Sequence, residues 1–196
     1  MCRTANRRLL SLILGLLLLS SCGGPRFHGS VRQPVQPAPD FSLIDQEGRA
    51  WRLSDHRSRV IVMYFGYTYC PDVCPTTLGD FKRIQTALGE RADEVQFVLI
   101  TVDPERDTPE RLGKYISFFS PHFVGLTGSV EDLTPVYEAY DIYIEKVYPE
   151  DSAAGYLVNH TATVFLVDPE GNWRLVYEYG TPPDEIVEDI EYMLKG

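Results

Sequence analysis

Two cysteines, Cys70 and Cys74, are separated by three residues and follow directly after a short apolar run over residues 60–65. The run is rich in β-branched and aromatic residues, which predicts a strand buried on both faces. Pro75 suits the first turn of a helix, so we expect a helix to begin near Cys74. The free N–H groups and the positive dipole at that helix end lower thiol pKa values, which predicts two thiolates on one exposed rim. Thiolates in this position can bind a metal, exchange disulfides, or do both.

The composition limits the class of protein that can carry this pair. The 196 residues suit one domain, and 44% hydrophobic residues can build its core without disulfides. Arginines at positions 3, 7 and 8 precede an apolar run over residues 9–19. This is the pattern of a secretory signal peptide, and the run is too short for a stop-transfer helix. Removal of residues 1–21 leaves 15 basic and 28 acidic residues, a formal charge of −13 that argues against nucleic acid as a partner.

The predicted signal peptide ends in Leu19-Ser20-Ser21-Cys22, which resembles the lipobox of bacterial lipoproteins. The resemblance implies that Cys22 is lipidated and becomes the first residue of the mature protein. The alternative is a chance cysteine near an ordinary cleavage site. Once Cys2 is removed and Cys22 is lipidated, Cys70 and Cys74 remain, and a disulfide between them would close a short loop that stabilises the fold little. We therefore expect this pair to serve chemistry.

The remaining chain divides into a tether and one folded domain. Residues 22–39 are rich in Gly and Pro, have few apolar residues and predict a flexible tether, which leaves residues 40–196 as the domain. The domain begins with a β-hairpin, and strands over residues 60–65 and 95–102 flank a helix of the length that a parallel crossover needs. The order of the later elements predicts an α/β, thioredoxin-like fold with an inserted extended hairpin before the His-bearing strand. These elements are helices from residues 109 and 129, a hairpin over 142–160, strands over 161–168 and 173–179, and a helix from 181.

Three segments together resemble the Sco/SenC family of copper proteins, which support assembly of cytochrome c oxidase. They are the residues from Tyr64 to Pro75 around the cysteines, Thr101-Val-Asp-Pro-Glu-Arg-Asp-Thr-Pro109, and Asn159-His160-Thr161. The resemblance extends from about residue 39 to the C-terminus. It implies a thioredoxin-like fold and one copper ion bound by Cys70, Cys74 and His160. Two thiolates and one imidazole form a soft site of low coordination number that favours Cu(I), with Zn(II) or Cu(II) as alternatives.

Asp103 follows the second strand of the βαβ unit and should lie at the same sheet edge as the cysteines. Its carboxylate can hydrogen-bond the imidazole or help to move protons as the thiols ionise, or it can serve only to start the Asp-Pro turn. Asp107 is better explained as an acid near a helix N-terminus, and Asp72 as a solvated turn residue. The other histidines lie in tether or loop segments and are not expected to bind metal: His28, His56 and His122.

The family resemblance implies a membrane-anchored copper metallochaperone that supports assembly of the dinuclear copper centre in the copper-site subunit of cytochrome c oxidase. We expect it in the bacterial cell envelope, lipid-anchored at the outer face of the cytoplasmic membrane or, in a diderm, at the outer membrane. A periplasmic copper donor or a thiol reductant would be a further partner. The alternative is a thiol-disulfide oxidoreductase that reduces the cysteines of that copper centre, with Cys70 as nucleophile and Cys74 as resolving thiol. His160 distinguishes the metallochaperone from the oxidoreductase, because a pure reductase needs no imidazole ligand. A peroxidase of peroxiredoxin type is poorly supported, since no separate resolving cysteine remains.

Overall fold

The computed structural model describes residues 26–149 and 155–195. The predicted signal peptide and the lipidation site at Cys22 lie outside these ranges. Within them, the strands and helices that the sequence predicts are present in the predicted order. The strands are β1 Ser30–Pro37, β2 Ser42–Asp45, β3 Ala50–Arg52, β4 Val60–Gly66, β5 Val95–Thr101, β6 Val124–Thr127, β7 Ile144–Val147, β8 Leu157–His160, β9 Val164–Val167 and β10 Asn172–Tyr177. The α-helices are α1 Val73–Leu88, α2 Pro109–Ser117, α3 Val130–Ala139 and α4 Pro183–Leu194.

Eight strands form one sheet in the order β1-β10-β9-β4-β5-β6-β2-β3. β4, β5 and β6 are parallel, and β9, β10 and β1 continue the sheet on the β4 side with antiparallel pairings. Every residue of β4 and β5 is buried, as the uninterrupted apolar runs predict. The β4-α1-β5 crossover is the predicted βαβ unit, and the predicted N-terminal hairpin is β2-β3. The predicted α/β thioredoxin-like order is therefore present.

The helix ends follow their local sequence signals. The Thr108 side chain accepts the N–H of Arg111 at the start of α2, and Pro109 occupies the first turn. Ser129 and Asp132 form a capping box at the start of α3. α1 packs against α4, and α2 packs against β6. In the two described ranges, no helix is both long and apolar enough to cross a membrane.

β7 and β8 form a separate two-stranded sheet, which is the predicted extended hairpin. His160 is the last residue of β8 and pairs with Ile144, so the His-bearing strand is the second strand of the hairpin predicted over residues 142–160. The core strand that follows begins at Val164 and not at the predicted residue 161. The reason is that Thr161, Ala162 and Thr163 are half-buried, and the continuous buried run of β9 starts only at Val164.

β1 corrects the predicted extent of the tether. Residues 30–37 are not a free linker, because they pair antiparallel with β10 at the edge of the main sheet. The side chains of β1 are nearly all exposed, so no apolar alternation reveals the strand in the sequence. The pairing rests on backbone hydrogen bonds and on the Arg32 guanidinium, which lies 3.7 Å from the ring centre of Trp173.

Candidate metal centre

The two cysteines lie in the turn between β4 and α1 but differ in exposure. Cys70 closes the turn, since its N–H donates to the carbonyl of Tyr67 at 3.3 Å, and its side chain is half-buried at the rim. Cys74 lies in the first turn of α1 and is 0% exposed. Its backbone N–H donates to Cys70 Sγ at 3.4 Å. The prediction of two exposed thiols is therefore wrong for Cys74, which faces inward against β4.

His160 on β8 meets the buried cysteine. Its Nε2 lies 3.7 Å from Cys74 Sγ, and its Nδ1 lies 3.0 Å from the carbonyl oxygen of Thr161. A carbonyl can only accept a hydrogen bond, so Nδ1 donates to Thr161 and Nε2 is the ring nitrogen that faces the sulfur. The rings of Tyr64 and Tyr67 contact the imidazole edge-on, with ring centres 6.0 and 5.8 Å away.

The distance between Cys74 and His160 fits a shared metal ion. A metal about 2.3 Å from sulfur and about 2.0–2.1 Å from nitrogen, with an angle of about 110–120°, separates the two donor atoms by about 3.6–3.8 Å. The observed separation is 3.7 Å. Among the described residues, no three His, Cys, Asp or Glu side chains already form a complete metal cage. The Cys70 side chain is within hydrogen-bonding reach of Cys74 and His160, so its sulfur is the candidate third donor.

Gly66, the last residue of β4, makes this close packing possible. A Cβ atom at this position would lie 2.6 Å from Tyr64 Cε1 and 3.0 Å from Cys74 Sγ. The hydroxyl of Tyr64 lies 3.6 Å from the same sulfur. The absence of a side chain at residue 66 therefore lets the sulfur, the tyrosine ring and the strand end pack together.

The two thiols share one proton unequally. The pKa of Cys70 is lowered to about 4, mainly because the Cys74 thiol donates a hydrogen bond to it; partial burial opposes this effect, and N–H groups at the helix start support it. The pKa of Cys74 is raised, because its S–H bonds to Cys70 and its sulfur is buried. At neutral pH the pair is one thiolate at Cys70 and one thiol at Cys74.

An open groove of about 240 Å³ gives access to the site. Cys70 and His160 are reached from it, on the side where the cysteine turn faces β8. The residues that line it are Tyr67, Cys70, Pro71, Asp72, Val73, Leu157, Val158, Asn159, His160 and Ala162.

Asp103 does not hydrogen-bond the imidazole, which corrects the predicted contact. Both ring nitrogens of His160 already have other partners. The buried Asp103 carboxylate accepts from Arg106 Nε and, at 2.6 Å, from the Tyr156 hydroxyl. Arg106 also donates to the Tyr156 carbonyl at 3.0 Å and lies 3.6 Å from the centre of its ring. Asp103, Arg106 and Tyr156, here named the hairpin clamp, hold the residue before β8 against the end of β5.

Asp107 was predicted only to serve a helix dipole, but it is buried and holds the cysteine turn. Its carboxylate accepts the Thr68 N–H at 3.1 Å, the Thr68 hydroxyl at 2.6 Å and the Thr101 hydroxyl at 2.7 Å. Burial raises the pKa of Asp107. Arg111 Nε donates to Thr68 Oγ1 at 2.7 Å, and its guanidinium stacks on Tyr69. The signal that could have identified this role is the pair of threonines just beyond β4 and at the end of β5.

The remaining candidate residues lie apart from these contacts. Asp72 is exposed and makes no side-chain cap to α1, as expected for a solvated turn residue. His28 bonds Glu188, and His56 stacks on Trp51. His122 is exposed, and its backbone contacts Gln96 and Ser120.

The fold and the site define a thioredoxin-like protein with a Cys-x-x-x-Cys turn and a histidine that faces it. The SCO1/SenC family model matches residues 30–195. An SCO2-like protein from Rickettsia felis is 30% identical over 196 aligned residues, covering 93% of this chain and 96% of the relative. The structure of Bradyrhizobium japonicum ScoI with copper bound has a TM-score of 0.74 and 36% identity, over 81% of this chain and all of that one. Apo Sco1 from Thermus thermophilus has a TM-score of 0.76 and 37% identity, over 86% of this chain and 98% of that one. The chain belongs to the SCO1/SenC family, and these neighbours confirm the predicted fold.

Proposed function

We propose that this protein is a copper metallochaperone that binds one copper ion through Cys70, Cys74 and His160. The observation that carries the proposal is the 3.7 Å separation of Cys74 Sγ and His160 Nε2, which fits two ligands of one metal ion. The copper-bound structure of B. japonicum ScoI, a relative of 36% identity, supports copper as the metal. Copper is cargo in this function, and the copper-site subunit of cytochrome c oxidase is the proposed acceptor. A periplasmic copper donor is the proposed source.

The chain supplies the chemistry of loading from its own protonation states. Two thiolates and an imidazole are soft donors that favour Cu(I). Cys70 is already a thiolate, and the hydrogen bond from Nδ1 to the Thr161 carbonyl orients the imidazole so that Nε2 faces Cys74. Cys74 has to release its proton, because the thiolate is the ligand. Copper affinity therefore falls as the pH falls.

A specific observation favours a second function for the same pair. Cys70 is half-buried, with a pKa lowered to about 4, whereas Cys74 is buried, with a raised pKa. This division suits a nucleophilic and a resolving thiol in a thiol-disulfide oxidoreductase. In that role the protein would reduce the cysteines of the acceptor's copper centre, and a separate thiol reductant would regenerate the pair.

We also place the protein in the bacterial cell envelope, with a lipid on Cys22 holding it at the membrane. The sequence before Cys22 supports this anchor, and several acyl chains attach a protein far more durably than one chain does. Gly23 follows Cys22 rather than an acid, so both the outer face of the cytoplasmic membrane and, in a diderm, the outer membrane fit. Mass spectrometry of the N-terminus and fractionation of cells carrying Cys22→Ser test the anchor.

Copper and disulfide assays on one set of variants separate the two functions. We expect His160→Ala to weaken Cu(I) binding about 100-fold or more, roughly 2.7 kcal/mol, whereas the variant should still reduce a model disulfide. Cys70→Ala should lose both activities. His122→Ala is the matched control, because its exposed side chain has no described contact with the site. Full copper binding by Cys70→Ala would overturn the ligand assignment.

A further inference from the structure

The register of the main sheet determines where the N-terminal chain joins the domain. β4 ends at Gly66 beside the cysteine turn, and Tyr64 of β4 pairs with Val164 at the start of β9. Val164 pairs with Tyr177 at the end of β10, and neighbouring Val176 pairs with Ser30 at the start of β1. The chain therefore joins the sheet at the edge that carries Cys70, Cys74 and His160, here named the metal-site edge.

Residues 27–29 are fixed to this edge and to α4. The buried Asp189 carboxylate accepts the backbone N–H of His28 at 3.0 Å and of Gly29 at 3.0 Å, and the Tyr177 hydroxyl at 2.9 Å. Phe27 packs edge-on against Tyr192, with ring centres 5.3 Å apart. These contacts hold the chain just before the start of β1, so residues 27–37 of the predicted tether are attached to the domain.

The His28 side chain adds to this attachment. Its Nε2 lies 2.9 Å from Glu188 and its Nδ1 3.7 Å from Glu185, both on the first turns of α4. Gly29 passes so close to Tyr177 that a Cβ atom would lie 2.7 Å from the ring. A glycine is therefore needed where the chain crosses this ring.

The segment between Cys22 and Phe27, here named the leash, would link the lipid to the domain and is short compared with the domain. From Cys22 to Phe27, the first residue held by the domain, there are five residue steps, which span at most about 17 Å when fully extended. β1 lies three strands from β4, about 14 Å along the sheet edge. The opposite edge, at the β9-β10 turn, lies about 17 Å further away along β10. That opposite edge could face the bilayer only if the leash were almost fully extended, which costs chain entropy.

We propose that the anchored protein presents its metal-site edge to the bilayer, so that copper is handed over close to the membrane surface. The inference rests on the lipidation of Cys22 proposed above. The partner it fits is a membrane-anchored protein whose thiolate or imidazole ligands lie near the bilayer. Tyr143 and Tyr179 are 60% and 48% exposed at this edge and suit the interfacial layer of lipid headgroups. The formal charge of −13 that remains after removal of residues 1–21 gives no attraction to anionic lipids, so the leash determines the orientation.

Energy transfer to labelled vesicles tests this orientation. The acylated protein, purified from membranes, is reconstituted in phosphatidylethanolamine–phosphatidylglycerol vesicles that carry a headgroup acceptor dye. A donor amino acid replaces either Tyr179 at the metal-site edge or the exposed Glu170 at the opposite edge. We expect stronger transfer from position 179, which should lie about 17 Å closer to the bilayer.

A linker insertion provides the control. Thirty Gly and Ser residues placed between Gly23 and Gly24 add a chain of about 30 Å root-mean-square length and should abolish the difference between the two donors. The insertion lies outside the folded domain, so copper binding should not change. Equal or weaker transfer from position 179 in the acylated protein would overturn this inference alone. Absence of an acyl group on Cys22 would overturn the proposed anchor and this inference together, and leave the copper site untouched.

Discussion

Substitution of Gly66 by alanine tests whether the close packing behind the cysteines builds the metal site. The new Cβ atom would lie 2.6 Å from Tyr64 Cε1, 3.0 Å from Cys74 Sγ and 3.2 Å from Leu99 Cδ1. Ordinary carbon contacts are about 3.5–4.0 Å, so the tyrosine ring has to move by about 1 Å. Tyr64 and Leu99 are both fully buried, which leaves them little room to move.

The size of the effect follows from this overpacking. An additional methyl group in a filled core costs about 1–3 kcal/mol of unfolding free energy. The same methyl group pushes Cys74 Sγ, and the sulfur needs its 3.7 Å separation from His160 Nε2 to share a metal. We therefore expect Gly66→Ala to weaken Cu(I) binding by about 10- to 100-fold, or about 1.4–2.7 kcal/mol.

Gly79→Ala is the matched control for this experiment. Gly79 lies inside α1, and a Cβ atom there would meet no heavy atom within 4 Å. Alanine in a helix interior is more favourable than glycine by about 0.5–1 kcal/mol, so this variant should gain stability and keep its copper affinity. Urea unfolding of the apo proteins and Cu(I) competition with a chromogenic chelator measure both effects. Parental stability and affinity in Gly66→Ala would refute the packing argument.

Three further predictions follow from the pKa shifts and the N-terminal contacts. Iodoacetamide should modify Cys70 at a rate that stays constant from neutral pH to about pH 5 and falls only through the Cys70 pKa of about 4, while Cys74 stays protected; peptide mass mapping against pH measures this. Burial raises the pKa of Asp107, so its contribution to stability is present below the unfolded pKa and is lost as the pH rises through the folded value. Asp107→Asn cannot ionise at this position, so its free energy of unfolding relative to the parent protein should increase as the pH rises from about 4 to about 7. A difference that stays constant with pH would contradict the raised pKa. Asp189→Ala removes the acceptor of two backbone N–H groups and the Tyr177 hydroxyl, and should cost about 1–3 kcal/mol and speed trypsin cleavage at Arg32; unchanged cleavage would argue against the attachment.

Features with local sequence signals could be predicted. The buried strand β4 is a continuous apolar run, and Pro75 marks the start of α1. Thr108 and Ser129 are capping residues, and their side chains accept the expected backbone hydrogen bonds. In each case the physical cause acts within a few residues, so the local sequence contains it.

The burial of Cys74 could have been predicted but was not. The dipole argument treats both thiols alike, because both lie near the helix start. The helical period distinguishes them. Cys74 shares an apolar face with Leu78 and Phe81, four and seven residues later, and all three are buried. The period therefore decides exposure, and the dipole acts on whichever thiol remains near solvent.

β1 and the hairpin clamp could not be predicted from local pattern. β1 is an edge strand whose side chains are mostly exposed, so its pairing depends on a strand about 140 residues away in sequence. The clamp joins Asp103 and Arg106 to Tyr156, about 50 residues later, through a carboxylate and a ring face. Such contacts arise only when the fold brings distant segments together.

The hairpin is what distinguishes this site from a simple thiol pair. It is held by the clamp at Tyr156, by the Val158 N–H bonded to the Tyr67 hydroxyl at 3.1 Å, and by the Thr161 N–H bonded to the carbonyl of Tyr143. Because these contacts involve protein groups alone, the separation of His160 from Cys74 does not depend on a metal. In the proposed function, two of the three ligands are therefore already spaced for copper, and Cys70 supplies the third. Cys70 is also the thiolate that faces the groove, so both loading and transfer should begin by ligand exchange at its sulfur.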